Sequence, residues 1–224
     1  MTPPPARPRR FDLVVFDWDG TLFDSTALIV RAIQGACRDL GEAVPDDARA
    51  AYVIGLGLRD ALAHAVPGLP DARYPQLVER YRRHYAQHQN DLSLFPGVLE
   101  VLQRLRQRNH WLAVATGKSR QGLDEALAAV ELRGVFDATR TADETRSKPH
   151  PQMLHELMAE FGVAPERTLM IGDTTHDLQL AANAGAQRIA VSYGAHPGEA
   201  FAGHGPLFVA ESVAALDRWL EANA

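Results

Sequence analysis

The chain has 224 residues, 46% of them hydrophobic, which supports a sizeable core and excludes wholesale disorder. A net charge of −5 argues against a general nucleic-acid-binding surface. The only cysteine, Cys37, excludes an intrachain disulfide, and no apolar run approaches the ~18–20 residues that span a bilayer. Cys37 reads as a small core residue, and a reducing cytoplasm is the expected compartment.

Residues 1–10 are rich in Pro and Arg and lack the apolar stretch of a secretory signal. They read as a disordered lead in which Arg7, Arg9 and Arg10 form a solvated basic tail. Phe11–Phe16 is the first strand-like run, and Phe16-Asp17-Trp18-Asp19-Gly20-Thr21 follows from its last residue. Two carboxylates two residues apart share a face on an extended segment, and at a strand end both can converge on one ion. Burying two like charges is costly unless a cation or chemistry compensates. A hard divalent cation such as Mg²⁺ would neutralise them, and the first carboxylate could act as a nucleophile. The alternative is a solvated Asp-Gly turn.

From Asp24 to Phe95 only helical patterns occur, over about seventy residues, more than an ordinary crossover needs. Leu28, Ile29, Ala32, Ile33 and Ala36 mark one helix, and Leu77, Tyr81 and Tyr85 another. The reading is an inserted helical subdomain over residues 24–95, jointed near Leu22–Ser25 and Asp91–Gly97, and able to close as a lid. Gly55-Leu56-Gly57-Leu58-Arg59 reads as a mobile turn entering a helix, where Arg59 is either a surface residue or a grip on a substrate carboxylate. Arg80, Arg82 and Arg83 read as a solvated helix face. His84 and His88 have the i, i+4 spacing of a zinc pair but lack a third ligand.

Residues 11–23 and 96–224 then read as an α/β core. Strand-like runs are expected at Trp111–Ala115, Val135–Ala138, Thr168–Gly172, Arg188–Ser192 and Leu207–Val209. Helical stripes lie between them: Val98, Val101, Leu102 and Leu105; Leu123, Ala126, Leu127 and Val130; Met153, Leu154, Leu157, Met158 and Phe161; and Leu178, Ala181 and Ala182 before Gly185. This alternation predicts a mostly parallel sheet with helices on both faces. Ligands of such sheets bind outside the carboxyl ends of the strands, where Asp17, Thr116 and Asp173 all fall.

The Trp111–Ala115 run ends in Thr116-Gly117-Lys118-Ser119, the segment Ser147-Lys148-Pro149-His150-Pro151 precedes a helix, and the Thr168–Gly172 run ends in Asp173 with Asp177 four residues on. Asp, Thr, Lys and Asp in that order and context resemble the haloacid dehalogenase-like superfamily over nearly the whole chain. The phosphoglycolate-phosphatase-like members with an inserted helical cap are the nearest likeness. The resemblance implies a Rossmann-like three-layer core, an Mg²⁺ cofactor and a small phosphorylated substrate. It implies Asp17 as nucleophile, forming an aspartyl-phosphate, and Asp19 as general acid and base. It implies metal ligation by Asp17, Asp173 and the Asp19 backbone carbonyl, with Asp177 supporting them. Thr116, Gly117 and Lys148 would hold the phosphoryl group.

Phosphatases and phosphomutases of this superfamily carry Asp two residues after the nucleophile, whereas dehalogenases lack it, so Asp19 argues against dehalogenation. A phosphomutase of the β-phosphoglucomutase kind, a pyrophosphatase and, more remotely, a non-catalytic binding module stay open, as do monomer and homodimer. Trp18 and Thr174-Thr175-His176 depart from the usual filling of their motifs, and His176 could approach the metal site. Lys118 is either an exposed loop lysine or part of the site, and His150 and His196 read as loop residues.

Overall fold

The computed structural model describes residues 9–89 and 92–224. The expected lead at residues 1–8, with Arg7, and the joint residue Asp91 lie outside that range. Arg9 is not part of a solvated tail, because its guanidinium pairs with Asp12 at 2.6 Å.

Among the described residues, six strands form one parallel sheet in the order β3-β2-β1-β4-β5-β6. They are β1 (Leu13–Phe16), β2 (Trp111–Thr116), β3 (Ala138–Thr141), β4 (Thr168–Gly172), β5 (Gln187–Val191) and β6 (Val209–Ala210). The central strands β1 and β4 are buried at every residue, so they read in sequence as unbroken apolar runs. Side chains two apart share a sheet face. Val14, Phe16, Leu112, Val114, Leu169 and Ile171 pack on one side with α5 (Val98–Gln107), α6 (Arg120–Ala129) and α9 (Val213–Asn223). Leu13, Val15, Ala113, Ala115 and Met170 pack on the other with α7 (Gln152–Phe161) and α8 (Thr175–Asn183). Two apolar layers therefore cover both faces, giving the three-layer Rossmann-like core.

The third strand lies three residues beyond the Val135–Ala138 run that the sequence suggests. Val135 and Phe136 pack against the core from the connecting turn, while the strand itself is Ala-Thr-Arg-Thr at the sheet edge. An edge strand needs no continuous apolar run. At the far edge the strand itself is only Val209–Ala210, although the Leu207 amide of the expected run also donates to the Arg188 carbonyl at 2.8 Å.

Among the described residues, four α-helices lie between β1 and α5: α1 (Thr26–Leu40), α2 (Asp47–Tyr52), α3 (Leu58–Ala65) and α4 (Tyr74–Ala86). They bury an apolar cluster of their own, including Ile29, Ile33, Ala50, Val53, Leu62 and Leu77. Cys37 belongs to this cluster and is fully buried. After these helices the chain returns beside its point of departure, where Leu94 forms an antiparallel bridge with Phe23. Gly97 has φ 92°, a left-handed conformation suited to glycine, as the chain enters α5. No helix among the described residues is long and apolar enough to cross a membrane.

Candidate active site

The sheet order reverses direction between β1 and β4, which makes their carboxyl ends the switch point where a parallel sheet opens a crevice. Asp17 follows β1 and Asp173 follows β4. The pairing of Phe16 with Ile171, and the hydrogen bond from the Asp17 amide to the Ile171 carbonyl at 2.9 Å, set the two acids side by side.

Asp17 is fully buried. Its Oδ1 accepts from the Trp18 amide at 2.7 Å and lies 2.8 Å from the Lys148 ammonium. Its Oδ2 is buried and has no hydrogen-bond partner among the described residues. Burial pushes the Asp17 carboxyl well above the usual carboxylate range; Lys148 opposes this, and Asp177 and Asp173 reinforce it. Lys148, also buried, donates to Asp177 Oδ1 at 2.6 Å. Burial disfavours its charge, but the two carboxylates more than compensate and hold it above the usual lysine range.

Asp173 Oδ1 accepts from the Thr21 hydroxyl at 2.8 Å and Oδ2 from the Ala195 amide at 2.7 Å. Burial and the neighbouring Asp177 push its pKa up from 3.8 to about 7. Asp177 Oδ2 accepts from the Thr174 amide at 3.1 Å and hydroxyl at 2.7 Å, closing a capping box at the start of α8. Asp177 thus caps a helix and also orients Lys148.

Ligand oxygens of Asp17, Asp173 and Asp177 lie within 4.8 Å of one another. Three clustered carboxylates and one unpartnered carboxylate oxygen suit a hard divalent cation, which is held by oxygen ligands. Glycines keep this cradle open: a Cβ on Gly20 or Gly194 would fall 2.1 Å or 2.3 Å from Asp173 Oδ2.

The Asp19 side chain points elsewhere. Its Oδ1 accepts from the Ser25 hydroxyl at 2.6 Å and pairs with the Lys118 ammonium at 3.1 Å. Lys118 is therefore not an exposed loop lysine. It donates to the Tyr85 hydroxyl at 3.3 Å, and its ammonium lies 4.8 Å from the centre of that ring. Burial works against the charge, yet Asp19 and the tyrosines Tyr85 and Tyr81 hold Lys118 above the usual lysine range. No local pattern signals this contact, because Tyr85 lies on α4 in the inserted unit.

Thr116 ends β2 and is buried, and its hydroxyl accepts from the Lys118 amide at 3.2 Å. Ser119 caps α6 through the Gly122 amide. Gly117 meets the inserted unit so closely that a Cβ there would lie 2.3 Å from the Leu56 carbonyl oxygen and 2.6 Å from that of Gly55.

A cleft of about 830 Å³ opens beside Asp19 between the inserted helices and the core. Apolar Phe23, Ile29, Ile33 and Leu56 line it together with Tyr81 and Tyr85. Arg59 stands at this cleft, but its side chain is 76% exposed and lies 4.0 Å from the Asp71 carboxylate. It is not drawn into the carboxylate cluster.

The histidines separate into two groups. His84 binds Asp39 at 3.1 Å on the insert, away from the acids. His150 caps the turn into α7 by accepting from the Gln152 amide at 3.2 Å. His176 and His196 are buried and both reach the Tyr52 carbonyl, so His196 is more than a loop residue. Trp18, fully buried, packs on Phe23 with ring centres 5.6 Å apart.

Comparison with known proteins matches this geometry to a family. The sequence profile of the haloacid dehalogenase-like hydrolases matches residues 14–191. A protein named "Probable phosphatase IndB" from Dickeya dadantii (strain 3937) is 38% identical over 190 residues, covering 82% of each chain. A "Phosphoglycolate phosphatase" from Aliivibrio fischeri (strain ATCC 700601 / ES114) is 33% identical over 196 residues, covering 84% of this chain and 86% of the relative. A crystal structure described as a "predicted phosphoglycolate phosphatase" from Haemophilus somnus 129PT superposes with a TM-score of 0.83 at 25% identity, covering 94% and 98% of the two chains. The chain belongs to the haloacid dehalogenase-like hydrolases.

Proposed function

We propose that the protein hydrolyses a small organic phosphomonoester in two steps, with Asp17 as nucleophile. The observation that carries this reading is the Asp17 carboxylate. One oxygen is anchored by Lys148 and the Trp18 amide, and the other is buried and unpartnered. In the first step an Asp17 oxygen attacks phosphorus, the ester P–O bond breaks, and Asp19 passes a proton to the leaving oxygen. In the second, ionised Asp19 takes a proton from water, whose oxygen attacks the aspartyl-phosphate and frees Asp17 and inorganic phosphate. Thr116 and Gly117 bind phosphoryl oxygens, and Lys148 holds Asp17 against the repulsion of an incoming anion.

The Asp17 and Asp173 carboxylates and the Asp19 backbone carbonyl would hold Mg²⁺, with Asp177 steadying Lys148 and the first turn of α8. The cation supplies charge neutralisation between the carboxylates and the phosphoryl group. Residues 24–95 act as a cap that covers the site, on a core of residues 11–23 and 96–224. Among substrates, a phosphoglycolate-like ester is favoured, because a relative and a solved neighbour carry that name. The lone buried thiol suits a cytoplasmic setting.

The test is phosphate release from a panel including 2-phosphoglycolate, sugar phosphates, nucleotides and pyrophosphate, with Mg²⁺ and with EDTA. The expected result is Mg²⁺-dependent release that Asp17→Asn abolishes. Equal release by Asp17→Asn would exclude Asp17 as nucleophile. Isomerisation of a phosphosugar without net release would replace hydrolysis by a mutase reaction.

A further inference from the structure

We propose that His176 and His196 are positioning residues that hold the Gly55–Gly57 loop closed over Asp17 by clasping the Tyr52 carbonyl. Tyr52 is the last residue of α2 and carries one of the carbonyls that a helix end leaves without an intrahelical donor. His176 Nε2 meets that oxygen at 2.8 Å and His196 Nε2 at 3.0 Å. The tautomer of His196 follows from its other nitrogen: Nδ1 accepts from the Thr175 amide at 3.1 Å, so Nε2 carries the proton. His176 faces the same carbonyl with Nε2 and donates likewise. Rings complete the clasp. The Tyr52 ring stacks on His196 at 5.2 Å and 8°, and meets His176 edge-on at 5.2 Å and 77°.

The clasp lies one short turn from the reacting centre. The Leu56 amide donates to the Val53 carbonyl at 3.3 Å, folding the chain tightly between Tyr52 and the loop. Gly55 has φ 91°, and a Cβ built on it would lie 3.7 Å from the unpartnered Asp17 Oδ2 and 3.2 Å from Thr174 Oγ1. At its far end the loop is pinned by the Gly57 amide, which donates to Ser147 Oγ at 2.8 Å. The loop is therefore held at both ends by core side chains, and its middle covers the Asp17 carboxylate. Both histidines belong to the core, on or near α8, whereas Tyr52 belongs to the insert. Their contact is thus a connection between the two parts, made beside the acids. A loop closed in the free protein spares the substrate the cost of closing it, and an open one reduces apparent affinity by the closed fraction.

The consequence for catalysis rests on the phosphatase reading; the consequence for loop order does not. The experiment measures amide hydrogen exchange over residues 53–57 in the wild type, in His176→Phe, in His196→Phe and in the double variant. Phenylalanine keeps a ring and removes the donor. His176→Gln and His196→Gln, which restore an N–H donor, are the rescue. Exchange in 53–57 is expected to rise about ten-fold or more in the double Phe variant and less in each single one, since the single variants keep one of the two hydrogen bonds. Ser147→Ala, at the other pin, should raise exchange in the same segment. On an active substrate, KM should rise about ten-fold with kcat within about two-fold, because no reacting group is touched. Unchanged exchange in 53–57 for both single Phe variants overturns the proposal even if the double variant fails to fold. So does a rise spread evenly over α8 and β4, which would mark a merely structural role. Raised exchange in a protein that releases no phosphate would keep the clasp and remove the phosphatase reading.

Discussion

The Lys118 ammonium lies 3.1 Å from Asp19 Oδ1, the oxygen that also accepts the Ser25 hydroxyl. The same ammonium reaches Tyr85 on α4, so the proposed acid–base carboxylate of the core is tied through one lysine to the inserted helices. Lys118→Met would leave Asp19 buried beside no cation and free to move away from the leaving oxygen. Its kcat should fall by about one to two orders of magnitude, the scale of a misplaced general acid. Tyr85→Phe keeps the ring face under the ammonium and loses only a long hydrogen bond, so its loss should stay below about three-fold. Steady-state kinetics of both variants check this. Equal losses would shift the role from the Asp19 pair to the tyrosine hydroxyl.

Asp173 should make the metal-free protein less stable as pH rises from about 4 to about 7, against an opposite contribution from the buried histidines His110, His176 and His196, whose burial lowers their pKa. Asp173 titrates near 7 when folded, against the ordinary 3.8 when exposed. Between those values this carboxyl binds more protons in the folded state than in the unfolded state, so its contribution to the slope of stability against pH is negative. For a shift of that size the loss is on the order of a few kcal/mol. Urea melts in EDTA at pH 4.5 and 7.5 measure it. Asp173→Asn keeps oxygen and amide atoms for its neighbours but cannot ionise, so the wild type should lose stability relative to this variant as pH rises. Mg²⁺ at pH 7.5 should raise the wild-type Tm and leave that of Asp173→Asn nearly unchanged. Parallel pH profiles for the two proteins would exclude Asp173 as the source.

The parts of this arrangement that the sequence reveals are those where one residue's neighbours in the chain are also its environment. β1 and β4 are buried on both faces, so their apolar runs stand out and their ends locate Asp17 and Asp173. Pro151 and Gly162 bound α7 where their backbone chemistry predicts. The helix that the Gly55–Arg59 turn is expected to enter is α3, whereas α2, six residues long, is too short for a periodic stripe, and edge strand β3 carries Thr and Arg instead of an apolar run. Lys118 and His196 were illegible for another reason. Lys118 meets Asp19 and Tyr85, and His196 meets Tyr52 across 144 residues. A lysine or histidine in a loop is solvated by default, and only the tertiary approach of the insert reverses that.

Gly117→Ala should impair catalysis while leaving the fold nearly as stable. A Cβ at that position would sit 2.3 Å from the Leu56 carbonyl oxygen, and that obstacle is backbone, which cannot rotate aside. The Gly55–Gly57 loop must lift, and with it the cover over Asp17. A displacement of about 1 Å near reacting atoms costs on the order of 100-fold, so kcat/KM should fall by about that factor. The change in Tm should be a few degrees at most, since the apolar clusters of core and insert are untouched. Thermal melts beside kinetics decide between a displaced loop and a damaged core: a large drop in Tm with unchanged kcat/KM would contradict the loop account.

Arg59→Gln should tell a carboxylate-bearing substrate from a neutral one. Its guanidinium stands in solvent at the cleft, 4.0 Å from an exposed Asp71, where an ion pair contributes little. A leaving group without negative charge would gain nothing from it, and Arg59→Gln should change KM for such an ester by less than about two-fold. A carboxylate near the phosphoryl group could engage the guanidinium fork in the confined cleft, where a charge-assisted bond contributes ~1.5 kcal/mol and its loss raises KM roughly ten-fold. The decisive quantity is the ratio of the two KM changes, measured with 2-phosphoglycolate against a neutral sugar phosphate. A ratio near ten assigns Arg59 to the substrate carboxylate. A ratio near one returns it to the solvated surface and removes the charge-based reason for preferring a glycolate ester.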